Sequence, residues 1–304
     1  MSRIDDATYQ DLIDVRVHEP ARIGAALAAR PRRDRITNDG SLFIVAADHT
    51  ARGMIGVPGS PHAMVNRRSM LNRLLIALDN PRVDGVLASV DIMEDLVLLG
   101  ALDGKVAVGT MNRGGLAGAT WELDDRFTAY DTDHLIAAHL DAGKMLLRID
   151  PADAGTVPTL EGCAQAVVEL NDRGLMAMVE PIPYRKDSAG KAVWDDDGDA
   201  LLKAVGVSAG LGGSSAHTWL KIQATADIEL VAAMTTQPLL ILGGSPGPDP
   251  EATFASWEHA LEQPTVRGLV IGRALLYPGD DDVEAAVGRA ARLVSDAATA
   301  RSRT

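Results

Sequence analysis

Charged side chains interrupt three of the most apolar segments of the chain. Lys221 lies inside "HTWLKIQAT" (217–225), Lys144 opens "KMLLRI" (144–149), and Glu180 ends "LMAMVE" (175–180). A charge in a buried strand is costly unless it is paired or functional. A neutral lysine amine attacks a carbonyl carbon and forms an imine, and desolvation and a neighbouring cation both favour the neutral amine. With a carboxylic acid nearby to move protons, this set of residue types predicts imine catalysis.

Strand parity predicts that these side chains meet. Alternate residues of a strand face opposite sides of a sheet, and on this count Lys144 and Arg148 share one face of their segment. Lys221 and Glu180 fall on the corresponding faces of the two segments that follow. Asp48 comes just after the first apolar run, "SLFIVAA" (41–47). We therefore expect Lys144, Arg148, Glu180 and Lys221 to point into one interior, with Asp48 at its rim.

Each of these residues also has a purely structural interpretation. A lysine in a strand commonly lies on a wet edge, and an aspartate at a strand end commonly caps the next element. Arg148 also has an ion-pair partner close by in Asp150. The charged face on two neighbouring strands, with Glu180 on a third, favours the interior position for Lys221.

The elements that would position these residues alternate between strand and helix. Apolar runs typical of strands cover 41–47, 84–90, 105–110, 144–149, 175–180, 218–222, 238–244 and 268–272. Amphipathic, helix-like stretches cover 66–79, 131–142, 160–173, 249–263 and 281–300. About eight such units in one chain predict a closed α/β (β/α)8 TIM barrel. We expect a single barrel domain over 1–304, with 1–40 as an N-terminal helical segment and linker, and a polar exposed loop over 187–200.

Composition and net charge argue against several classes of partner and site. The 304 residues carry a net charge of −13, which argues against nucleic acid or an anionic membrane as a partner. Cys163 is the single cysteine, so an intramolecular disulfide and a cysteine-based zinc site are excluded. The N-terminus lacks the apolar core of a signal peptide and no apolar run is long enough to span a bilayer, so we expect a cytoplasmic protein.

The motifs, in chain order, resemble those of class I (Schiff-base) aldolases. They are "ADHTARG", "KMLLRIDPAD", "MVEPIPY", "WLKIQAT" and "GLVIGRALLYP". The similarity is to the tagatose-bisphosphate and archaeal-type fructose-bisphosphate aldolases, in the superfamily with deoxyribose-phosphate aldolase, and it runs from about residue 41 to 278. It implies a cytoplasmic lyase of carbohydrate metabolism that needs no metal or other cofactor and that commonly forms homo-oligomers.

The resemblance also implies a role for each matching residue. Lys221 matches the imine-forming lysine, Glu180 the proton-transferring glutamate, Lys144 the second lysine beside the imine, and Asp48 the aspartate after the first strand. The chain departs from the family's D-x-R-G-like turn, because two more residues separate Asp48 from Arg52. Arg148 stands where many relatives carry an aromatic residue, a difference that bears on substrate rather than on reaction.

A phosphate site is expected where the last two strands end. The glycines of "GGSPG" (243–247) and "IGRAL" (271–275) leave backbone N–H groups available to an anion. The predicted contacts are Gly243, Gly244, Ser245, Gly272 and Arg273, the last by resemblance to a phosphate-contacting arginine. As simpler alternatives, "GSP" is a common turn and Arg273 would be a surface residue.

Several functions remain open on the sequence alone. An aldolase of this kind would act on a small phosphorylated keto sugar and yield dihydroxyacetone phosphate and an aldehyde. Fructose bisphosphate, tagatose bisphosphate and 5-dehydro-2-deoxygluconate phosphate are candidate substrates, and Arg148 would suit the carboxylate of the last. The alternatives are a thiolase-like acyltransferase of the same superfamily and a non-catalytic sugar-phosphate-binding barrel. Metal dependence is disfavoured, since His49 beside Asp48 is the sole suggestive histidine.

Overall fold

Eight parallel strands close into a barrel in the computed structural model, which describes residues 3–112, 116–247 and 249–303. The strands are β1 (Leu42–Ala47), β2 (Gly85–Ala88), β3 (Val106–Thr110), β4 (Ala142–Ile149), β5 (Met176–Lys186), β6 (Ala192–Trp194), β7 (Thr218–Gln223), β8 (Leu239–Leu242) and β9 (Val266–Ile271). Each barrel strand pairs with the next, β4 pairs with β5, and β9 returns to β1. The short β6 lies outside the barrel, so β7 is its sixth strand. The predicted (β/α)8 fold is confirmed.

Helices connect the strands on the outside of the barrel. They are α1 (Asp6–His18), α2 (Ala21–Ala29), α3 (Arg67–Asp79), α4 (Val90–Leu98), α5 (Thr132–Ala137), α6 (Thr156–Asp172), α7 (Gly198–Ala209), α8 (Ile228–Ala233), α9 (Pro250–Leu261), α10 (Arg273–Leu276) and α11 (Val283–Arg301). Side-chain caps start several of them, as when Asn66 accepts from the backbone N–H of Ser69. Within the described ranges, no helix has the length and apolarity that crossing a membrane would require.

The apolar interior divides into separate layers, as strand parity predicts. One parity of the strands packs outward against the helices and forms the large cluster that includes Val45, Leu147 and Ile222. The other parity fills the barrel lumen with a smaller cluster that includes Ile44 and Met178. A third group, with Leu146 and Tyr184, covers part of the carboxyl-terminal end. Lys144, Glu180 and Lys221 lie on the same face of their strands as this lumen cluster, and they are closer to the carboxyl-terminal end of the barrel.

Two local expectations differ from the structure. Residues 131–142 were expected to be helical throughout, but α5 ends at Ala137 and β4 already begins at Ala142. His139 adopts a positive φ of 53° in the connection, a conformation that a continuous helix does not permit. Residues 187–200 are not a simple loop either, because β5 runs on to Lys186 and pairs antiparallel with β6. The resulting hairpin stands beside the mouth of the barrel.

The N-terminal helices pack on the outside of the barrel. Arg16 of α1 pairs with Glu94 and Asp95 of α4. Arg30, which follows α2, is buried and donates to the carbonyl oxygens of Lys105 and His139. The segment between Arg30 and β1 therefore crosses the amino-terminal end of the barrel, opposite the polar residues of the lumen.

Candidate active site

Glu180 joins the two lysines that interrupt the apolar strands. Its Oε1 accepts from Nζ of Lys221 at 2.7 Å, and its Oε2 forms an ion pair with Nζ of Lys144. Lys144 is fully buried, and Lys221 and Glu180 are each 6% exposed. Strands β4, β5 and β7 are neighbours, so their lumen-facing residues reach one point. The convergence expected from parity is thus present for these three side chains.

Asp48 extends this cluster at the end of β1. Its Oδ2 lies 3.5 Å from Nζ of Lys144 and accepts a long hydrogen bond, 3.4 Å, from the hydroxyl of Thr110. Asp48 is 2% exposed. Two lysine side chains therefore face two carboxylates that are almost completely buried, so each charge depends on its partners.

A cavity of about 480 Å³ opens above the cluster at the carboxyl-terminal end of the barrel. Lys221, Glu180 and Asp48 line it, whereas Lys144 lies beneath its floor. The other lining residues are Ala46, His49, Arg52, Met54, Leu146, Ile182, Tyr184, Trp194, Leu242, Gly243, Gly244, Ser245, Val270, Gly272 and Arg273. This volume is in the range of small-molecule sites.

The expected phosphate contacts all line this cavity. Gly243, Gly244 and Ser245 follow β8, and Gly272 and Arg273 follow β9. Gly272 is required by close packing, because a Cβ there would lie 2.5 Å from both the carbonyl oxygen of Ala46 and Cε1 of His49. Arg273 is 9% exposed, so it is not the surface arginine of the simpler alternative.

Arg148 does not line the cavity. Asp125 holds its guanidinium through two hydrogen bonds of 2.7 Å, Glu122 accepts a third at 3.1 Å, and the ring of Tyr184 lies 5.2 Å away. Burial alone lowers the pKa of Arg148, but the hydrogen bonds and charge of Asp125, with Glu122 behind it, outweigh burial and raise that pKa above its ordinary value. The structural ion pair considered for Arg148 is present, with Asp125 as partner in place of Asp150.

Arg52 reaches the cavity despite the longer turn that precedes it. The extra residues form a 3-10 turn, Thr50–Arg52, which brings the side chain to the cavity wall. There Arg52 donates to Oε1 of Glu122 at 2.9 Å, the same oxygen that binds Arg148. Glu122 thus holds one arginine at the wall and another beneath it.

No pattern in the sequence predicts the aromatic wall that the β5–β6 hairpin forms. Trp194 of β6 donates from its indole N–H to the hydroxyl of Tyr184 in β5 at 2.9 Å, and both line the cavity. Their pairing depends on a strand that the polar stretch 187–200 did not predict. The sequence places His49 beside Asp48, but only the folded structure shows that its ring packs against Gly272.

Over residues 3–112, 116–247 and 249–303, no three His, Cys, Asp or Glu side chains are grouped so as to hold a metal ion.

Solved structures with a similar fold include one with high sequence identity to this chain and others with low identity. Cgl0159 from Corynebacterium glutamicum is 47% identical, with a TM-score of 0.94 over 97% of this chain and 99% of that chain. An archaeal fructose 1,6-bisphosphate aldolase is 18% identical, with a TM-score of 0.65 over 90% and 99%. Another archaeal structure, with the catalytic Lys covalently bound to the carbinolamine intermediate of the substrate, is 18% identical, with a TM-score of 0.62 over 90% and 99%.

The aldolase structures confirm the resemblance at the level of fold. No protein of curated function matches the sequence. The model of one family, described as Cgl0159-like, matches residues 40–291, which include the whole barrel and every residue of the cluster around Glu180. The chain therefore belongs to the Cgl0159-like family.

Proposed function

We propose that this protein is a class I aldolase in which Lys221 forms the imine with substrate. One observation carries the proposal: the amine of Lys221 stands at the floor of a cavity, 2.7 Å from a carboxylate whose other oxygen contacts a second, buried lysine. A structural lysine would need neither a cavity above it nor a second cation behind its partner. The fold shared with archaeal fructose 1,6-bisphosphate aldolases supports the same chemistry.

The cluster has a route to the neutral amine that the reaction needs. Transfer of one proton from Lys221 to Glu180 gives a neutral amine and a neutral acid without changing the net charge of the site. Lys144 contacts the other oxygen of Glu180 and so holds the carboxyl group in place against Lys221 during the transfer. Asp48 stays paired with Lys144, so a charge balance remains after the transfer.

The reaction then proceeds through the imine. The amine attacks the ketone carbon, and the ketone oxygen leaves as water after it receives one proton from Glu180 and one from the attacking nitrogen, which yields the protonated imine. A carboxylate takes the proton of the hydroxyl group on the β carbon, and the bond between the α and β carbons breaks. Its electron pair moves into the imine to form an enamine, and the aldehyde leaves. Protonation of the α carbon and hydrolysis then release the ketone product and regenerate Lys221.

The substrate we propose is a phosphorylated keto sugar, cleaved to dihydroxyacetone phosphate and an aldehyde. Lys221 lines the same cavity as four of the expected phosphate contacts, Gly243, Gly244, Ser245 and Arg273. One ligand can therefore place its phosphate group at these residues and its ketone at the amine of Lys221. Sugars like fructose bisphosphate, tagatose bisphosphate or 5-dehydro-2-deoxygluconate phosphate are candidates. A second anionic group would meet Arg52, which lines the cavity, and not Arg148, which lies outside it.

A substrate panel tests the proposal. The protein is incubated with phosphorylated and unphosphorylated keto sugars, and released dihydroxyacetone phosphate is measured with a coupled reductase, with and without EDTA. Cleavage of at least one phosphorylated sugar, lost in Lys221→Met and unaffected by EDTA, is the expected result. Turnover of a coenzyme A thioester without any aldol cleavage would replace the proposal with acyl transfer. Saturable binding by calorimetry with no product from any substrate would replace it with a binding role.

A further inference from the structure

A second polar cavity lies at the opposite end of the barrel. It has a volume of about 670 Å³ and sits where β1, β2 and β3 begin. Its charged lining residues are Arg32, Arg33, Asp34, Arg35, Asp84 and Lys105. Four of these side chains are cationic and two are carboxylates. In a chain of net charge −13, this end of the barrel carries a local excess of positive charge.

One of the two carboxylates is already occupied by structural bonds. Asp84 accepts from the backbone N–H of Phe43 at 2.8 Å, from Nη1 of Arg33 at 2.8 Å and from Nη1 of Arg82 at 2.9 Å. Two arginines therefore share this single charge. Nη2 of Arg33 is buried and has no hydrogen-bond partner within the described parts of the chain. A buried donor without an acceptor costs free energy that a bound anion would recover.

Of the other three cations, Arg32 already donates to Oδ1 of Asp141 at 3.0 and 2.9 Å, whereas Arg35 and Lys105 are placed for an anion. Arg35 is exposed and forms no ion pair with any residue that the structure describes. Lys105 is half buried and donates to the carbonyl oxygen of Val83 at 2.6 Å. Burial lowers the pKa of Lys105, and the charge of Arg33 lowers it further against the opposing effect of Asp84. Arg33 and Lys105 therefore lie close enough for their charges to interact in this cavity.

We propose that this cavity is a binding site for a small phosphate dianion, either a phosphate monoester or free phosphate. The excess of two positive charges matches a dianion, and the guanidinium groups of Arg33 and Arg35 offer the paired donors that phosphate oxygens accept. The site lies at the end of the barrel away from Lys221, so it is independent of the reaction proposed there. Binding would tie residues 32–38 to the starts of β2 and β3 and raise the thermal stability of the chain.

Calorimetric titration with inorganic phosphate and with glycerol 3-phosphate, at constant ionic strength, tests this site. The titrations use an Arg273→Met background, which removes an expected phosphate contact at the other cavity. The test variant is Arg35→Glu, and the matched control is Arg292→Glu, an exposed residue of α11 with the same change of charge. We expect saturable binding, weakened about tenfold or more by Arg35→Glu and changed less than about twofold by Arg292→Glu.

The two ligands distinguish a phosphorylated metabolite from free phosphate, and the arginine variants test whether this cavity binds phosphate. Tighter binding of the ester would identify a phosphorylated metabolite, and equal binding would identify free phosphate. Absence of saturable binding, or equal weakening by both arginine variants, would overturn the proposal. Should Arg273→Met fail to fold, the same comparison in the native chain must show that Arg35→Glu removes one binding site from the stoichiometry.

Discussion

Asp125 accepts hydrogen bonds from Arg148 with both carboxylate oxygens, one 2.7 Å from Nε and the other 2.7 Å from Nη2. Both side chains are completely buried. The pair ties β4 to the connection between β3 and α5, and it supports Tyr184 and Glu122 from beneath. Arg148 therefore holds the wall of the cavity in place without lining the cavity itself.

Asp125→Asn is expected to destabilise the fold strongly. The substitution leaves the guanidinium of Arg148 buried without its main counter-charge, which typically costs about 3–5 kcal/mol. Urea unfolding followed by circular dichroism measures the change. Glu251→Gln, which breaks the exposed pair with Arg289, is the control and is expected to change the midpoint little. Equal midpoints for the two variants would contradict a structural role for the Asp125–Arg148 pair.

Glu180→Gln is expected to lower kcat, and also to lower the stability of the fold, since Lys144 and Lys221 lose a counter-charge. Glutamine preserves the shape of the side chain but cannot exchange the proton with Lys221, and general acid–base catalysis typically contributes about 10²–10⁴-fold. Steady-state kinetics on the substrate found by the panel gives the value. Glu122→Gln is the matched comparison, because Glu122 contacts Arg52 and Arg148 and should affect KM more than kcat. A normal kcat in Glu180→Gln would remove Glu180 from the proposed chemistry.

Trp194 is expected to contribute to substrate binding. Trp194→Ala removes the outer part of the aromatic wall and should raise KM by about tenfold with a smaller effect on kcat. Trp194→Phe keeps the apolar surface but loses the hydrogen bond to Tyr184, and should lie between the wild type and the alanine variant. Trp121→Ala serves as the control, since Trp121 is 52% exposed and does not line the cavity. The same KM in all three variants would show that the hairpin does not contact substrate.

Cys163 is expected to be unreactive in the folded protein. Burial raises the pKa of its thiol to about 12 from an ordinary value of 9.0, so the reactive thiolate is scarce at pH 8. Iodoacetamide at pH 8 should leave Cys163 unlabelled by mass spectrometry, and should label it fully in guanidinium chloride. Because the folded pKa is the higher one, the contribution of this group to stability is present below pH 9 and declines as the pH rises from 9 towards 12. Rapid labelling under native conditions would contradict this burial.

The lumen-facing residues could be predicted from the sequence because strand parity is a local property. Once β4, β5 and β7 are recognised as neighbours, alternation places Lys144, Glu180 and Lys221 on the inner face with no further information. Met178, two residues before Glu180, lies in the lumen as the same alternation requires.

The partners of Arg148 could not be predicted in this way. Asp125 and Glu122 lie in an irregular connection after β3, whose path is set by long-range contacts and not by any periodic pattern. The β5–β6 hairpin was missed for a related reason: "DSAGKAVWDDDGDA" is polar, and β6 is held by pairing with β5 rather than by its own composition. Sequence reasoning was therefore accurate where side chains follow strand geometry and failed where connections fold back over the barrel.

Covalent trapping tests the central claim most directly. The protein is incubated with dihydroxyacetone phosphate, reduced with borohydride, digested, and searched for the adduct by peptide mass spectrometry. Lys144→Met and Lys221→Met are treated in parallel, since both lysines contact Glu180. We predict an adduct on Lys221 in the wild type and none in Lys221→Met. An adduct on Lys144 would exchange the roles of the two lysines, and no adduct with this ketone, with pyruvate or with any sugar that binds would contradict imine catalysis by this protein.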